Sequence, residues 1–171
     1  MAWTVETNAM MTLAELRQQF PVPGRVEWIG VRPAKDEPMA TPHSVELKAG
    51  AGITGDRFAA RRTDKRAVTL IQAEHVQAIA QLLQREALDP AELRRNIVVS
   101  GLNLLALKET HFQLGGAVLM MTGLCHPCSK MERRLGPGAY NAMRGHGGIT
   151  ACVLSGGIVS VGDSLRAART S

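Results

Sequence analysis

A chain of 171 residues matches one ordinary domain, and 45% hydrophobic with 20% charged residues is a globular composition that excludes disorder and collagen-like structure. Aromatics are only 4%, which excludes extended stacking platforms for single-stranded nucleic acid and leaves the core to aliphatic side chains. Twenty Lys and Arg against fifteen Asp and Glu give a net charge of +5, which favours an anionic partner without naming its kind.

In chain order, Thr12 and Glu15 have capping-box spacing, and Leu13, Leu16 and Phe20 form one apolar stripe. They predict a short helix that runs to the stop at Pro21-Val22-Pro23-Gly24. Residues 1–24 are expected to be a helical extension on a single domain over 25–171. Strands are expected at 25–31 and 44–48, separated by a loop rich in proline and charge. Residues 50–57 hold Gly50, Gly52 and Gly55 and lead into the basic Arg61, Arg62, Lys65 and Arg66, a texture expected of a functional loop.

A buried strand is expected at 67–71, and Val76, Ile79, Ala80 and Leu83 recur at helical spacing within 72–84. Asp89-Pro90 starts another helix, since Asp caps and Pro suits the first helical position. Strands follow at 96–100, 111–114, 117–122, 150–154 and 158–161, with a helix over 129–135 and glycine pairs as turns. Gly162-Asp163 reads as a strand-to-strand turn with a structural Asp163. The class is therefore mainly β, a sandwich or barrel, without the alternating strands and long helices of a doubly wound parallel sheet.

Three cysteines, Cys125, Cys128 and Cys152, are too few for a secreted disulfide framework and suit reduced thiols. Residues 1–11 lack the basic start and apolar run of a signal peptide, and no apolar stretch approaches a membrane span of ~20 residues. A cytoplasmic protein with no membrane partner is expected.

Cys125-His126-Pro127-Cys128 stands between an expected strand and an expected helix. A thiol at a helix start faces unpaired N–H groups and the positive dipole end, which favour the thiolate needed for metal ligation or nucleophilic attack. Lys130, Arg133 and Arg134 act in the same direction. A zinc site would need further ligands from scattered residues such as His43, His75, His111, His146 or Cys152. A thioredoxin-like pair lacks its surrounding fold. Single-thiolate metal ligation, persulfide carriage and an inert buried pair stay open at this point.

The glycine loop offers closely spaced amides as a phosphate nest, with Arg57 as a charged fork; a plain structural turn is the alternative. Asp56 caps a turn, orients Arg57 or touches the ligand. Arg94-Arg95-Asn96 and His146 in its glycine turn are further anion contacts, or else a solvated helix end and a permissive turn.

Taken together and in order, five stretches resemble the MOSC domain: Gly52-Ile-Thr-Gly-Asp-Arg57, Val68-Thr-Leu-Ile-Gln-Ala-Glu74, Arg94-Arg-Asn-Ile-Val-Val-Ser-Gly-Leu-Asn-Leu-Leu105, Pro127-Cys-Ser-Lys130 and Gly156-Gly-Ile-Val-Ser-Val-Gly-Asp163. The likeness runs over about residues 25–166. It implies a mostly antiparallel β-barrel with a few peripheral short helices. It also implies a cysteine that binds molybdenum or carries sulfur, and a basic cleft for the pterin of the molybdenum cofactor. The family cysteine falls on Cys128, with Arg57, Arg94, Asn96 and Lys130 holding pterin and phosphate. Arg95 stands where many relatives have an acidic residue, a departure that either adds anion affinity or alters the surface.

The chemistry agrees, because the cofactor's dithiolene leaves room for a soft thiolate and its phosphate calls for Arg, Lys and N–H donors. The expected function is reduction of N-hydroxylated compounds, a small-molecule substrate class. No iron–sulfur, flavin or nicotinamide fingerprint is present, so electrons would come from a separate reductase. The alternative is a sulfur carrier, with a Cys128 persulfide passed to a partner such as a cofactor sulfurase. A nucleic-acid-binding module ranks last, for want of any recognised motif.

Overall fold

The structure is a computed structural model that describes residues 10–59 and 64–168. Arg61 and Arg62 lie outside the described residues. In chain order the elements are α1 (Leu13–Arg17), β1 (Gly24–Ile29), β2 (Ser44–Lys48), β3 (Gly52–Ile53), β4 (Val68–Gln72), α2 (Ala73–Leu82), α3 (Pro90–Leu93) and β5 (Ile97–Ser100). They continue with β6 (His111–Leu114), β7 (Ala117–Leu124), α4 (Ser129–Leu135), α5 (Ala139–Met143), β8 (Ile149–Ser155), β9 (Gly157–Ser160) and β10 (Ser164–Ala167).

Among the described residues, seven strands close into a barrel in the order β1-β10-β6-β7-β8-β4-β5, with β5 returning to β1. A three-stranded sheet, β3-β2-β9, accompanies it. The expectation of an antiparallel barrel with short helices holds, with one exception: β4 and β5 run parallel. A parallel pair needs a crossover, and α2 with α3 supplies it. The shortest register in the barrel is β1 with β10, at the two pairs Gly24↔Leu165 and Arg25↔Ser164.

Strand alternation divides the apolar residues between two cores. Val68, Leu70, Ile97, Val99, Phe112, Leu114 and Leu119 fill the barrel, while Ile71 and Val98 face outward beneath the helices. There they meet Val76 and Ile79 of α2, Leu93 of α3, Met131 and Leu135 of α4, and Met143 of α5. β4 is thus buried on both faces along its whole length. Truncating a fully buried leucine of either core to alanine costs about 2 to 5 kcal/mol.

α1 carries its capping box in both directions, with Glu15 N–H bound to the Thr12 hydroxyl and the Glu15 carboxylate bound to Thr12 N–H. It ends at Arg17, short of the proline stop, and buries no residue. Phe20, beyond its end, packs against the barrel core. Asp89 caps α3 through Ala91 N–H, with Pro90 in the first turn. Two elements were not expected, β3 inside the glycine loop and α5, while β10, given no range from the sequence, follows the expected strand-to-strand turn at Gly162-Asp163. Asp163 is structural, accepting Ser160 N–H at 2.8 Å in the turn before β10.

Candidate functional site

Strand register brings several chain segments to one end of the barrel. Ile29, at the end of β1, pairs with Ile97 at the start of β5, and Leu124, at the end of β7, pairs with Ile149 at the start of β8. Leu70 of β4 pairs with both Ile97 and Ile149. The connections leaving β1 and β7 and the turn entering β5 therefore meet there.

They enclose a cleft of about 690 Å³. The segment after β1 contributes Arg32, Lys35 and Asp36, the segment after β3 contributes Arg57 and Phe58, and the turn before β5 contributes Arg94 and Arg95. Cys128 and α4 complete it with Lys130, Met131, Arg133 and Arg134. Eight cations and one carboxylate line this wall.

Beneath it runs a buried polar network. Arg32 grips Asp56 with two parallel bonds, Nε to Oδ2 and Nη2 to Oδ1, each 3.0 Å. Arg32 Nη2 also donates to Asn96 Oδ1 at 2.9 Å, while Asn96 Nδ2 donates to Asp56 Oδ2 at 2.9 Å and to the Gly30 carbonyl at 3.1 Å. Thr69 closes the set from β4, its hydroxyl and N–H both donating to Asn96 Oδ1. Burial alone would raise the Asp56 carboxyl, but bonds and charge from Arg32 with N–H donors of Arg32 and Phe58 outweigh it and hold the carboxyl below its usual range. Such a network orders the cleft floor because each member satisfies its neighbour.

Above it the cations are poorly matched. Arg94 sits in the left-handed region (φ 57°, ψ 27°), with its guanidinium donating to the carbonyls of Glu37 and Ala34. Burial, then the positive charges of Arg134, Arg32 and Arg57, holds it below its ordinary value, with Asp36 opposing. Arg95 is 7% exposed and, among the described residues, has no carboxylate partner; it donates to the carbonyls of Gly147, Leu93 and Cys125. Burial lowers it as well, opposed by Cys125 and Cys128 and reinforced by Arg32. Arg57 stacks over Phe58, as does Arg32, and among the described residues its buried Nε has no hydrogen-bond partner.

Cys128 is exposed and caps α4, its carbonyl accepting Met131 N–H at 2.9 Å. Met131 and Leu135, four apart, anchor α4 in the outer core and turn Lys130, Arg133 and Arg134 outward. Cys125 lies elsewhere, half-buried in a separate pocket of about 80 Å³ with Leu105, Leu124 and Pro127. Cys152 is buried in β8. Among the described residues, no group of three or more His, Cys, Asp or Glu side chains could hold a metal ion.

Of the residues singled out in the sequence, Arg57, Arg94, Cys128 and Lys130 meet in the cleft. Asn96 does not line it; fully buried, it spends its amide on the floor network. The glycine loop is no phosphate nest, because the N–H groups of Thr54, Asp56 and Arg57 already donate to the carbonyls of Glu46, Ile53 and Arg32. Asp56 pairs with Arg32, not Arg57. Arg95 is buried, so the departure at that position does not alter the surface.

His146 lies off the cleft, edge-on to His75 at 4.9 Å, and its glycine turn is structural: a Cβ on Gly147 would overlap the Cys125 carbonyl. Burial, then the neighbouring His146, holds His75 below its usual range. Sequence reasoning missed Arg32 and Lys35 as site residues. Their signal is topological, a basic pair just past β1 at the barrel end where β5 begins.

The sequence profile of the MOSC domain matches residues 57–166. No curated protein matches the chain. Among solved structures, the YuaD protein from Bacillus subtilis is 20% identical over 84% of this chain and 94% of its own, with a TM-score of 0.74. YiiM from Geobacillus stearothermophilus is 18% identical over 86% and 76%, at 0.68. YiiM from Escherichia coli is 19% identical over 86% and 71%, at 0.64. At these identities the likeness is one of fold. Among the described residues, no helix is long and apolar enough to cross a membrane.

Proposed function

Since the chain belongs to the MOSC domain family, we propose that it binds the molybdenum cofactor in the basic cleft and reduces N-hydroxylated compounds there. The observation that carries this reading is an exposed thiol, Cys128, on the wall of a cleft in which cations far outnumber carboxylates. The donor set fits the group. Among the described residues, Arg57 has a buried Nε without an acceptor, Arg94 is crowded by like charges, and Arg95 is buried without a carboxylate, so an anion relieves all three.

Cys128 would be the metal ligand, and Arg57, Arg94 and Lys130 would hold phosphate and pterin. When bound, the cofactor supplies two-electron chemistry at a centre able to accept oxygen. The chain's residues do the rest. Arg95 and the Arg32-Asp56 pair keep the floor in place, and Met131 with Leu135 fixes the helix that presents the thiol. Overall, a substrate N–OH group, two electrons from a separate reductase and two protons give N–H and water.

The test is elemental analysis for molybdenum and zinc, with pterin release, on protein from cells able to make the cofactor. Molybdenum and pterin near one per chain are expected, lost in Cys128→Ala and retained in Cys125→Ala. Retention by Cys128→Ala would overturn the ligand assignment. Neither metal nor pterin, together with a sulfur adduct on Cys128 by mass spectrometry, would replace the reading with persulfide carriage.

A further inference from the structure

The cations of the cleft form two tiers. Arg57, Arg94 and Arg95 are half-buried or buried on its floor, whereas Lys35, Lys130, Arg133 and Arg134 are exposed at its rim. Lys130, Arg133 and Arg134 stand at i, i+3 and i+4 on α4 and so share one face. The one acid on that helix is diverted: Glu132 accepts N–H bonds from Gly138 and Tyr140, each at 2.7 Å, at the start of α5. Among the described residues, no rim cation is in an ion pair.

A single bound cofactor does not match this wall. Arg32 is neutralised by Asp56, which leaves seven cations of the cleft facing one carboxylate, Asp36. A phosphate group carries about two negative charges and a thiolate one. Arg57, Arg94, Arg95 and Lys130 are enough to balance those, which leaves Lys35, Arg133 and Arg134 facing Asp36 alone. Like charges held together on one face cost stability, so a rim with a large excess of cations at a cleft mouth points to a second anion that enters and leaves.

We propose that the rim is an anion subsite for the substrate: the N-hydroxylated compound taken by this cleft bears a carboxylate or phosphate group, held by Arg133 and Arg134. The inference rests on the cofactor-dependent reading of the cleft. The backbone spacing along α4 suggests a scale for the ligand. From Cys128 to Arg133 and Arg134 the rise is about 7 to 9 Å at ~1.5 Å per residue, the span of one aromatic ring between the N–O group and the anion. Cationic N-hydroxylated compounds are repelled by the same rim.

The experiment compares benzamidoxime with its 4-carboxy and 4-phosphono derivatives. Calorimetric titration into the purified chain is expected to show at least one charged derivative binding about tenfold tighter than the parent at low salt. The difference is expected to collapse at high ionic strength, since the rim is exposed. Arg133→Gln with Arg134→Gln narrows that ratio toward one, and on molybdenum-loaded protein the corresponding KM ratio narrows with it. Whichever derivative binds tighter identifies the anion. Equal binding of the neutral parent and both derivatives, or an unchanged ratio in the double variant, overturns the subsite. Because the titration does not depend on turnover, a chain without molybdenum would refute the reductase reading and leave this result to stand or fall by itself.

Discussion

Asp56 lies at the join between barrel and cleft, and its ionisation ties the site to the stability of the whole chain. Its carboxyl is held below the usual range in the folded protein, so the unfolded chain binds its proton first as pH falls. The pair with Arg32 thus contributes fully above the unfolded carboxyl's ordinary range, and the contribution is lost as pH drops through the lower folded value. Asp56→Asn leaves Arg32 buried without a counter-charge and is expected to cost roughly 3 to 5 kcal/mol in urea unfolding at neutral pH. The variant should also lose part of the acid-side slope of stability; an unchanged slope would mean that other carboxylates set it. Asn96 teaches a related lesson. It sits in a family-like stretch, yet its side chain is consumed by Arg32, Asp56, Thr69 and Gly30, so a motif residue can hold the cleft floor without lining the cleft. No sequence pattern separates those roles, because the difference lies in where Oδ1 and Nδ2 point.

Elements were legible where their causes are local. The capping box of α1 and the Asp89-Pro90 start of α3 involve residues within three positions of each other, and both form as expected. α5, β3 and β10 depend on partners outside their own segments, those of β10 far off in sequence. The start of α5 is bound by the Glu132 carboxylate from α4, β3 is two residues long and exists through its pairing with β2, and β10 has the single buried residue Leu165 between β1 and β6. The cleft was half legible for the same reason. Cys128 and Lys130 are sequence neighbours, whereas Arg32 joins Arg94 across the β1–β5 register. Local causes also make separable predictions. Thr12→Ala removes the cap of a helix that buries nothing, so the global unfolding free energy should move by less than about 0.5 kcal/mol. Phe20→Ala, which strips a side chain packed on the barrel core, is expected to cost roughly 1 to 3 kcal/mol in the same chemical unfolding assay. A larger effect of Thr12 than of Phe20 would mean that α1 docks where the structure leaves it exposed.

At the scale of the molecule, the barrel has two unlike ends. One gathers the basic cleft; at the other, residues 20–23 lie beside Leu102 and the end of β10. The parallel β4–β5 pair and its helical crossover join the two cores, and the same crossover delivers Arg94 and Arg95 to the site. The short β1–β10 register closes the barrel at Gly24 and Arg25, the end of β1 remote from Arg32. That seam should breathe first, so its amides are expected to take up deuterium sooner than those of the fully buried β4. Breathing there leaves the cleft assembled. An anion seated among the arginines should therefore slow deuterium uptake at residues 30–37 and 94–97 while uptake at 24–25 and 164–165 continues at its own pace, and slowing at all four would mean that the barrel opens only as a whole.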